Sequence, residues 1–513
     1  MDSSSVLEKY ISTHRDSLNE AMMSYVSSLQ AVSKVSPLVA SRVVKELKSQ
    51  RSRLKLIASE NYSSPACHLA MGNLLTDKYA EGYAYHRYYS GCDNVDAIED
   101  YACETACGVF GAEHAYVQPH SGADANLCAY WAIINTVVQI PALEEMGIKN
   151  PSALTREQWN TIRRKTGNQR LLGLDYYSGG HLTHGYRLNV SAQMFDAYSY
   201  SVSRETGLLD YDEIERQAME IKPLILLAGF SAYPRKINFR RMKEIADKCG
   251  AVLMADMAHF AGLVAGKVFE GDYDPVKWAD VVTTTTHKTL RGPRGGLILC
   301  KQRFADSVDQ GCPLVMGGPL PHVMAAKAIA LSEASQPSFR DYAKRIVENA
   351  QALATALEEE GVPVHTGGTD NHLMLLDVTG FDLNGRQAES ALIACGISLN
   401  RNALPFDKNG PWYTSGLRIG TPAVTTLGMG TEEMREIASI IALVLKNTRA
   451  GVMKDGEKAG TPSKSRFITD KKASEQAKNR VLSLLSRFVL YPELDLDFLE
   501  DNFCGEGSST EST

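Results

Sequence analysis

The sequence predicts an α/β protein: a large domain on a mostly parallel central sheet, a smaller α+β C-terminal domain, and a helical N-terminal arm. Three observations carry this. Between about residues 76 and 335, short apolar or β-branched runs alternate with helix-like stretches, as strands joined by crossover helices do. Residues 1–55 place apolar side chains near helical spacing: Val6, Tyr10, Ile11 and Leu18, then Val43, Val44 and Leu47. After about residue 340 the rhythm changes to a long helix, 342–360, followed by alternating strands and further helices.

Taken in order, residues 1–75 form the arm, which is either helical core or a docking segment for a second chain. Residues 76–335 form the large domain. Its strands are read at 224–228 (LILLA), 252–255 (VLMA), 281–286 (VVTTTT) and 297–299. The segment 239–250, FRRMKEIADKCG, reads as a helix closed by Gly250. Residues 138–170 break the alternation and read as a surface insertion, with Thr155 and Gln158 as a capping box. Its Arg163-Arg164-Lys165 run reads as a solvated face. Residues 336–504 form the small domain, and 505–513 a polar, disordered tail.

Composition excludes several classes. With 44% hydrophobic and 22% charged residues, the 513-residue chain has ample core and is not globally disordered. Against 60 Asp and Glu stand 54 Lys and Arg, a net charge of −6, which excludes a dedicated nucleic-acid binder. No run of about 18 apolar residues predicts a membrane span. The N-terminus carries no apolar targeting segment, so a cytoplasmic protein is expected. The ten cysteines contain no CxxC pair and suit free thiols rather than a zinc site or a disulfide framework.

Chemistry concentrates in three places. In TTTTHKTLRGPRGG (283–296) a β-branched strand delivers Lys288, after His287, into a Gly/Pro-rich turn. A desolvated lysine there loses its charge easily and suits Schiff-base chemistry; the plain alternative is an exposed loop lysine. In VLMADMAHFAG (252–262) a strand ends in Asp256, with His259 three residues on. Such an aspartate either caps a helix or pairs with the pyridine nitrogen of pyridoxal phosphate. In QPHSGADAN (118–126), Ser121 and Gly122 stand at a helix start, an anion site or a simple N-cap. Together these are a phosphate cradle, a pyridine partner and a Schiff-base lysine, in that order along an α/β domain.

The sequence closely resembles the serine hydroxymethyltransferases, fold-type-I pyridoxal-phosphate enzymes. The resemblance rests on LIASENYSSP (56–65), DKYAEGY (77–83), RYYSGC (87–92), QPHSGADAN, GGHLTHG (179–185), GFSAY (229–233), DMAHFAGL (256–263), TTTTHKTLRGPRGG, MGGPLPH (316–322) and SGLRIGTPAVTT (415–426). It implies transfer of a one-carbon unit between L-serine and tetrahydrofolate, giving glycine and 5,10-methylenetetrahydrofolate, with pyridoxal 5′-phosphate held covalently on Lys288. It also implies a homodimer with shared active sites, with assembly to a tetramer left open.

For the site, the resemblance implies that Asp256 holds the pyridine nitrogen and His181 stacks on the ring. Ser121, Gly122, His287 and, from a partner subunit, Gly318 would contact the phosphate. Ser231 and His259 would contact the ring oxygen. Arg418 would clamp the substrate carboxylate with its bidentate fork, helped by Ser59. Glu81 would be the acid–base carboxylate, set among Tyr79, Tyr88 and Tyr89, with Tyr79 and Tyr89 reaching across the dimer interface. Tyr176, Gly180, His181, Leu182, Tyr88 and Asn402 would contact folate. No metal is expected: His181 and His184 could pair on zinc, but no third ligand is evident nearby.

The chain departs from the family pattern at Ala123, at Ala84-Tyr85-His86, at Ser90, at Tyr176 and at Phe406, mostly on the folate side. Two other readings share part of the pattern. A folate-independent aldolase for 3-hydroxy amino acids would keep Lys288, Asp256 and Arg418. A noncatalytic binder would keep only the fold, which the intact Lys288, Asp256, His181, Glu81 and Arg418 oppose. GLVAGK (262–267) is one residue short of a P-loop and lacks its Ser/Thr.

Overall fold

A computed structural model describes residues 5–453 and 460–505. The expected tail therefore lies, apart from Gly505, outside the described residues.

The large domain holds a seven-stranded sheet. In chain order its strands are β1 His114–Tyr116, β2 Arg170–Leu174, β3 Asp196–Tyr200, β4 Ile225–Gly229, β5 Val252–Asp256, β6 Val281–Thr285 and β7 Gly296–Cys300. They lie side by side as β1-β7-β6-β5-β4-β2-β3, and β7 alone runs against its neighbours. Every residue of β4, β5 and β6 is buried. Helices cover both faces, which is why these strands read as unbroken apolar runs rather than alternating ones. The parallel strands end on one edge, and β1 delivers its loop to the same edge. This is where α/β sheets bind ligands.

The helix Phe239–Cys249 ends as expected, with Gly250 at a positive φ of 78°. The Thr155–Gln158 capping box is present at the start of Arg156–Thr166. Among the described residues, one helical stretch, Gly122–Glu145, is long and apolar enough to cross a membrane, and half of it is buried inside the protein. Ala125, Cys128, Ala129, Tyr130 and Ile133 pack it into the core beneath the sheet, together with Leu171, Ile225 and Ile298.

The long helix runs Pro337–Glu359, one turn earlier than the sequence reading, because Pro337 occupies its first position, where a missing N–H costs nothing. Its first half (Phe339, Tyr342, Ala343, Ile346) belongs to the large core and its second half (Ala350, Leu353, Leu357) to the small one. The small domain carries β8 Leu373–Asp377, β9 Asn400–Asn402 and β10 Gly416–Gly420, ordered β8-β10-β9 and antiparallel. The N-terminal helices Val6–Thr13, Glu20–Val35 and Pro37–Arg51 bury their apolar faces with the C-terminal helix Leu496–Phe503. The chain then adds Leu54–Lys55 in parallel to Ile397–Ser398 of the small domain.

Candidate active site

A cleft of about 660 Å³ opens at the carboxyl edge of the sheet, between the two domains. Lys288, Asp256, Arg418, His181, Ser121, Gly122, Ser231, His259, His287, Ser59, Tyr176, Gly180, Leu182 and Asn402 all line it.

Asp256, at the end of β5, is the hub. Its Oδ2 accepts from Asn126 Nδ2 (2.9 Å) and His184 Nε2 (3.0 Å), and its Oδ1 from the Ala258 N–H (3.0 Å). The His181 N–H donates to His184 Nδ1 (3.3 Å), so the proton of His184 sits on Nε2 and points at the carboxylate. Burial alone would raise the Asp256 pKa, but these donors outweigh it and hold the carboxyl well below its usual range. The aspartate thus stays ionised in a buried place.

Asn126 uses both of its amide protons and its oxygen. Its second donation goes to Thr183 Oγ1 (2.7 Å), and its oxygen accepts from Thr283 Oγ1 (2.6 Å). The Thr183 hydroxyl then donates to His181 Nδ1 (2.7 Å), fixing the ring on the cleft wall. Burial, with His184 beside it, draws His181 down to about 4, so its imidazole is neutral. Asn126 and Thr183 were not singled out from sequence. The available signal was one amide in the helix Gly122–Ile134, whose first turn also carries Asp124.

Lys288 stands three residues beyond β6. Burial lowers its pKa to about 8, Arg418 and Arg294 push the same way, and Asp256 opposes them. A substantial neutral fraction at physiological pH makes it a nucleophile. Its carbonyl accepts from Asn61 (2.9 Å). Beside it, His287 is pulled down to about 3 by burial and by Arg294 and Lys288.

At the anion end, Ser121 caps the helix Gly122–Ile134, accepting from the Asp124 N–H (3.2 Å) and donating to Asp124 Oδ2 (2.9 Å). Ser121 is thus an N-cap, and the helix N-terminus that it caps faces the cleft.

From the small domain, Arg418 on β10 reaches across to the Ser231 carbonyl (2.7 Å), while its buried Nε has no partner. A buried guanidinium with an idle donor on a cleft wall is equipped to take a carboxylate. Burial lowers it to about 10, still charged at neutral pH. His372, at the edge of β8, was also missed. It stacks on His259 with ring centroids 5.4 Å apart and ring nitrogens 3.2 Å apart.

Five expected residues, Gly318 among them, do not line this cleft. Tyr79, Glu81, Tyr88 and Tyr89 sit on and around the hairpin Gly82–Arg87, where the three tyrosines are exposed and Tyr79 contacts Glu81 (3.4 Å) and the Tyr89 ring (4.8 Å). The physical reason is Arg87. Its buried guanidinium binds Asp96 (2.7 Å) and Glu99 (2.5 Å) on one side and the Ala80 and Gly82 carbonyls on the other. That fixes the backbone on both sides of Glu81 against the helix Asp93–Phe110. Gly318 lies against Tyr79, and its carbonyl is 3.2 Å from Nε2 of its own chain's His120, next to Ser121. The structure does supply the third group that the metal reading lacked: His181, His184 and Asp256 have ligand atoms within 4.8 Å of one another. His184 and Asp256 already bond each other, and Thr183 bonds His181 Nδ1.

The cleft fits pyridoxal phosphate on its donor set. It has a helix N-terminus for the phosphate, an ionised buried carboxylate for the ring nitrogen, a neutral imidazole wall and a desolvated lysine for the aldehyde. Fold and site define a fold-type-I pyridoxal-phosphate enzyme. The profile of the serine hydroxymethyltransferase family matches residues 32–148 and 160–441, skipping only part of the 138–170 segment between them. The chain is similar to the serine hydroxymethyltransferase of Treponema pallidum (strain Nichols), 60% identical over 97% of this chain and 86% of that one. It is similar too to those of Salinispora tropica (55%, covering 93% and 99%) and Cutibacterium acnes (53%, covering 94% and 98%). The chain belongs to the serine hydroxymethyltransferase family, and it is a pyridoxal-phosphate-dependent transferase with tetrahydrofolate as cosubstrate.

Proposed function

We propose that this cleft converts L-serine and tetrahydrofolate to glycine, 5,10-methylenetetrahydrofolate and water, reversibly, with the residues in the following roles. The observation that carries the assignment is the convergence of Lys288, Asp256 and Arg418 on one cleft from two domains.

When bound, pyridoxal phosphate supplies an electron sink for the bond broken at the substrate Cα. Lys288 holds its aldehyde carbon. Asp256 keeps the ring nitrogen protonated, because a buried carboxylate with three donors resists taking that proton. His181 lies against the ring, while Ser231 and His259 serve its oxygen. Ser121, Gly122 and His287 hold the phosphate, joined by the partner subunit's Gly318. Arg418 and Ser59 fix the substrate carboxylate, which decides which Cα bond faces the ring. Glu81, brought by a partner subunit with Tyr79, Tyr88 and Tyr89, moves the proton at the serine hydroxyl. Tyr176, Gly180, Leu182 and Asn402 line the folate side. This reading includes a homodimer in the cytoplasm and the division at 75, 335 and 504 into arm, large domain, small domain and tail.

The test follows serine cleavage by the purified protein with and without tetrahydrofolate, beside Lys288→Ala. The expected result is folate-dependent cleavage, abolished together with the covalently held cofactor in Lys288→Ala. Serine cleavage that ignores folate would overturn the assignment in favour of a folate-independent aldolase.

A further inference from the structure

Lys327 is an anomaly the chemistry above does not use. It lies in the helix Pro321–Ala334 with 1% of its surface exposed. Among the described residues it forms no ion pair. Its ammonium instead donates all three protons to main-chain carbonyls: Val117 (2.5 Å), Pro119 (2.9 Å) and Gly296 (2.9 Å). Those carbonyls belong to two loops of the site. Val117 and Pro119 flank Gln118 and lead directly into Ser121. Gly296 opens β7 at the end of the turn that begins at Lys288, and its own N–H donates to the Pro119 carbonyl (2.8 Å).

Packing alone gives no reason for a charge here. A methionine of similar length would fill the space without the cost of desolvating an ammonium. Burial drives Lys327 down to about 7, against the pull of Glu99, Cys103 and Asp124. Its charge is also felt by His287 on the cleft wall. Glu99 and Asp124 act on the ammonium only at a distance, without pairing with it, and the helix N-terminus at Ser121–Gly122 is where a further anion would be seated.

We propose that Lys327 is a positioning residue for the phosphate end of the cleft, tying the cradle loop to the start of β7 and supplying the positive charge that a bound phosphate answers. The proposal rests on the reading of the cleft as a pyridoxal-phosphate site.

The test measures binding of pyridoxal phosphate and of phosphate-free pyridoxal to the apoprotein, in wild type and Lys327→Met. The expected result is a loss of about tenfold or more for pyridoxal phosphate with pyridoxal held within about twofold, since a charge effect acts only on the probe that carries the charge. Equal loss for both probes, or no loss, would overturn it. Should Lys327→Met fail to fold, Gly295→Ala gives a second route. Its new Cβ would fall 2.4 Å from Lys327 Cε and 2.9 Å from Nζ, displacing the ammonium without deleting it. The same selective loss is expected, and an unchanged ratio of the two affinities overturns the proposal. Wild-type apoprotein that takes up neither probe overturns the cofactor reading itself.

Discussion

At Asp256 Oδ2, two hydrogen-bond donors meet on one oxygen, and a third donor holds Oδ1. Asp256→Asn keeps the shape but offers only one acceptor atom. An amide NH₂ at the Oδ2 position would face Asn126 and His184, donor against donor. Leaving buried donors unpaired costs about 1–3 kcal/mol, so the apoprotein should unfold at lower denaturant than wild type while cofactor-dependent turnover falls further. An unchanged unfolding midpoint would show that the network relaxes around the amide. The buried imidazoles give a second expectation. His181 titrates near 4, His287 and His372 near 3, and His259 is also pushed down by burial. An unfolded chain protonates each near 6.5. Between those values the unfolded state binds more protons, so apoprotein stability must fall as the pH drops below 6.5. For His372, completely buried, the loss at pH 5 is about 2 kcal/mol, from roughly 1.4 kcal/mol per pH unit. His372→Gln should remove about one proton from that slope, read from unfolding curves at pH 7 and pH 5; an unaltered slope would count against it.

At the scale of elements, the hairpin Gly82–Arg87 and the helix Asp93–Phe110 act as one piece because Arg87 bridges them. Glu99 also accepts from Gln118 Nε2 (2.7 Å), and the same amide donates to the Gly82 carbonyl (2.8 Å). Arg87→Met would strand Glu99 in the core, so a loss of about 3–5 kcal/mol in unfolding free energy is expected, the scale of a broken buried ion pair. Arg87→Met with Glu99→Gln should recover part of it in a double-mutant cycle; purely additive losses would refute the coupling. This cluster was invisible in the sequence, and so were Lys327 and His372. Their partners include residues 12, 19, 31, 113 and 210 positions away, and nothing in local pattern marks such distant pairings. What was legible follows the opposite rule. Strands buried on both faces announce themselves as apolar runs, and Asp256 and Lys288 stand at or just beyond their ends. Gly250 and the Thr155–Gln158 box carry end signals within a few residues. The hub at Asp256 was half legible: the carboxylate stood out, but the asparagine, threonine and histidine that hold it come from two other segments.

For the whole molecule, the proposed reading is that one chain does not complete its own cleft, since Glu81 and the tyrosines around it are not among the residues that line it. Arg87 ties the backbone on both sides of Glu81 to Asp96 and Glu99. The exposed Tyr79, Tyr88 and Tyr89 beside it form the kind of aromatic surface that interfaces bury. In a two-fold dimer the same surface meets its copy, so a hairpin directed out of one chain is directed into the other. The consequence can be measured without a structure of the assembly. Lys288→Ala and Glu81→Gln should each be inactive alone. Unfolded together in equal amounts and refolded, half of the dimers pair one variant with the other. In those, the Glu81→Gln chain keeps Lys288 and receives a native Glu81 from its partner, while the opposite cleft carries both defects. About a quarter of all clefts are then intact, so activity should return to about a quarter of the wild-type level, as two-fold symmetry requires. If Glu81 instead served the cleft of its own chain, every cleft in the mixture would carry one defect. The mixture would then be as inactive as its components, which would refute the shared site.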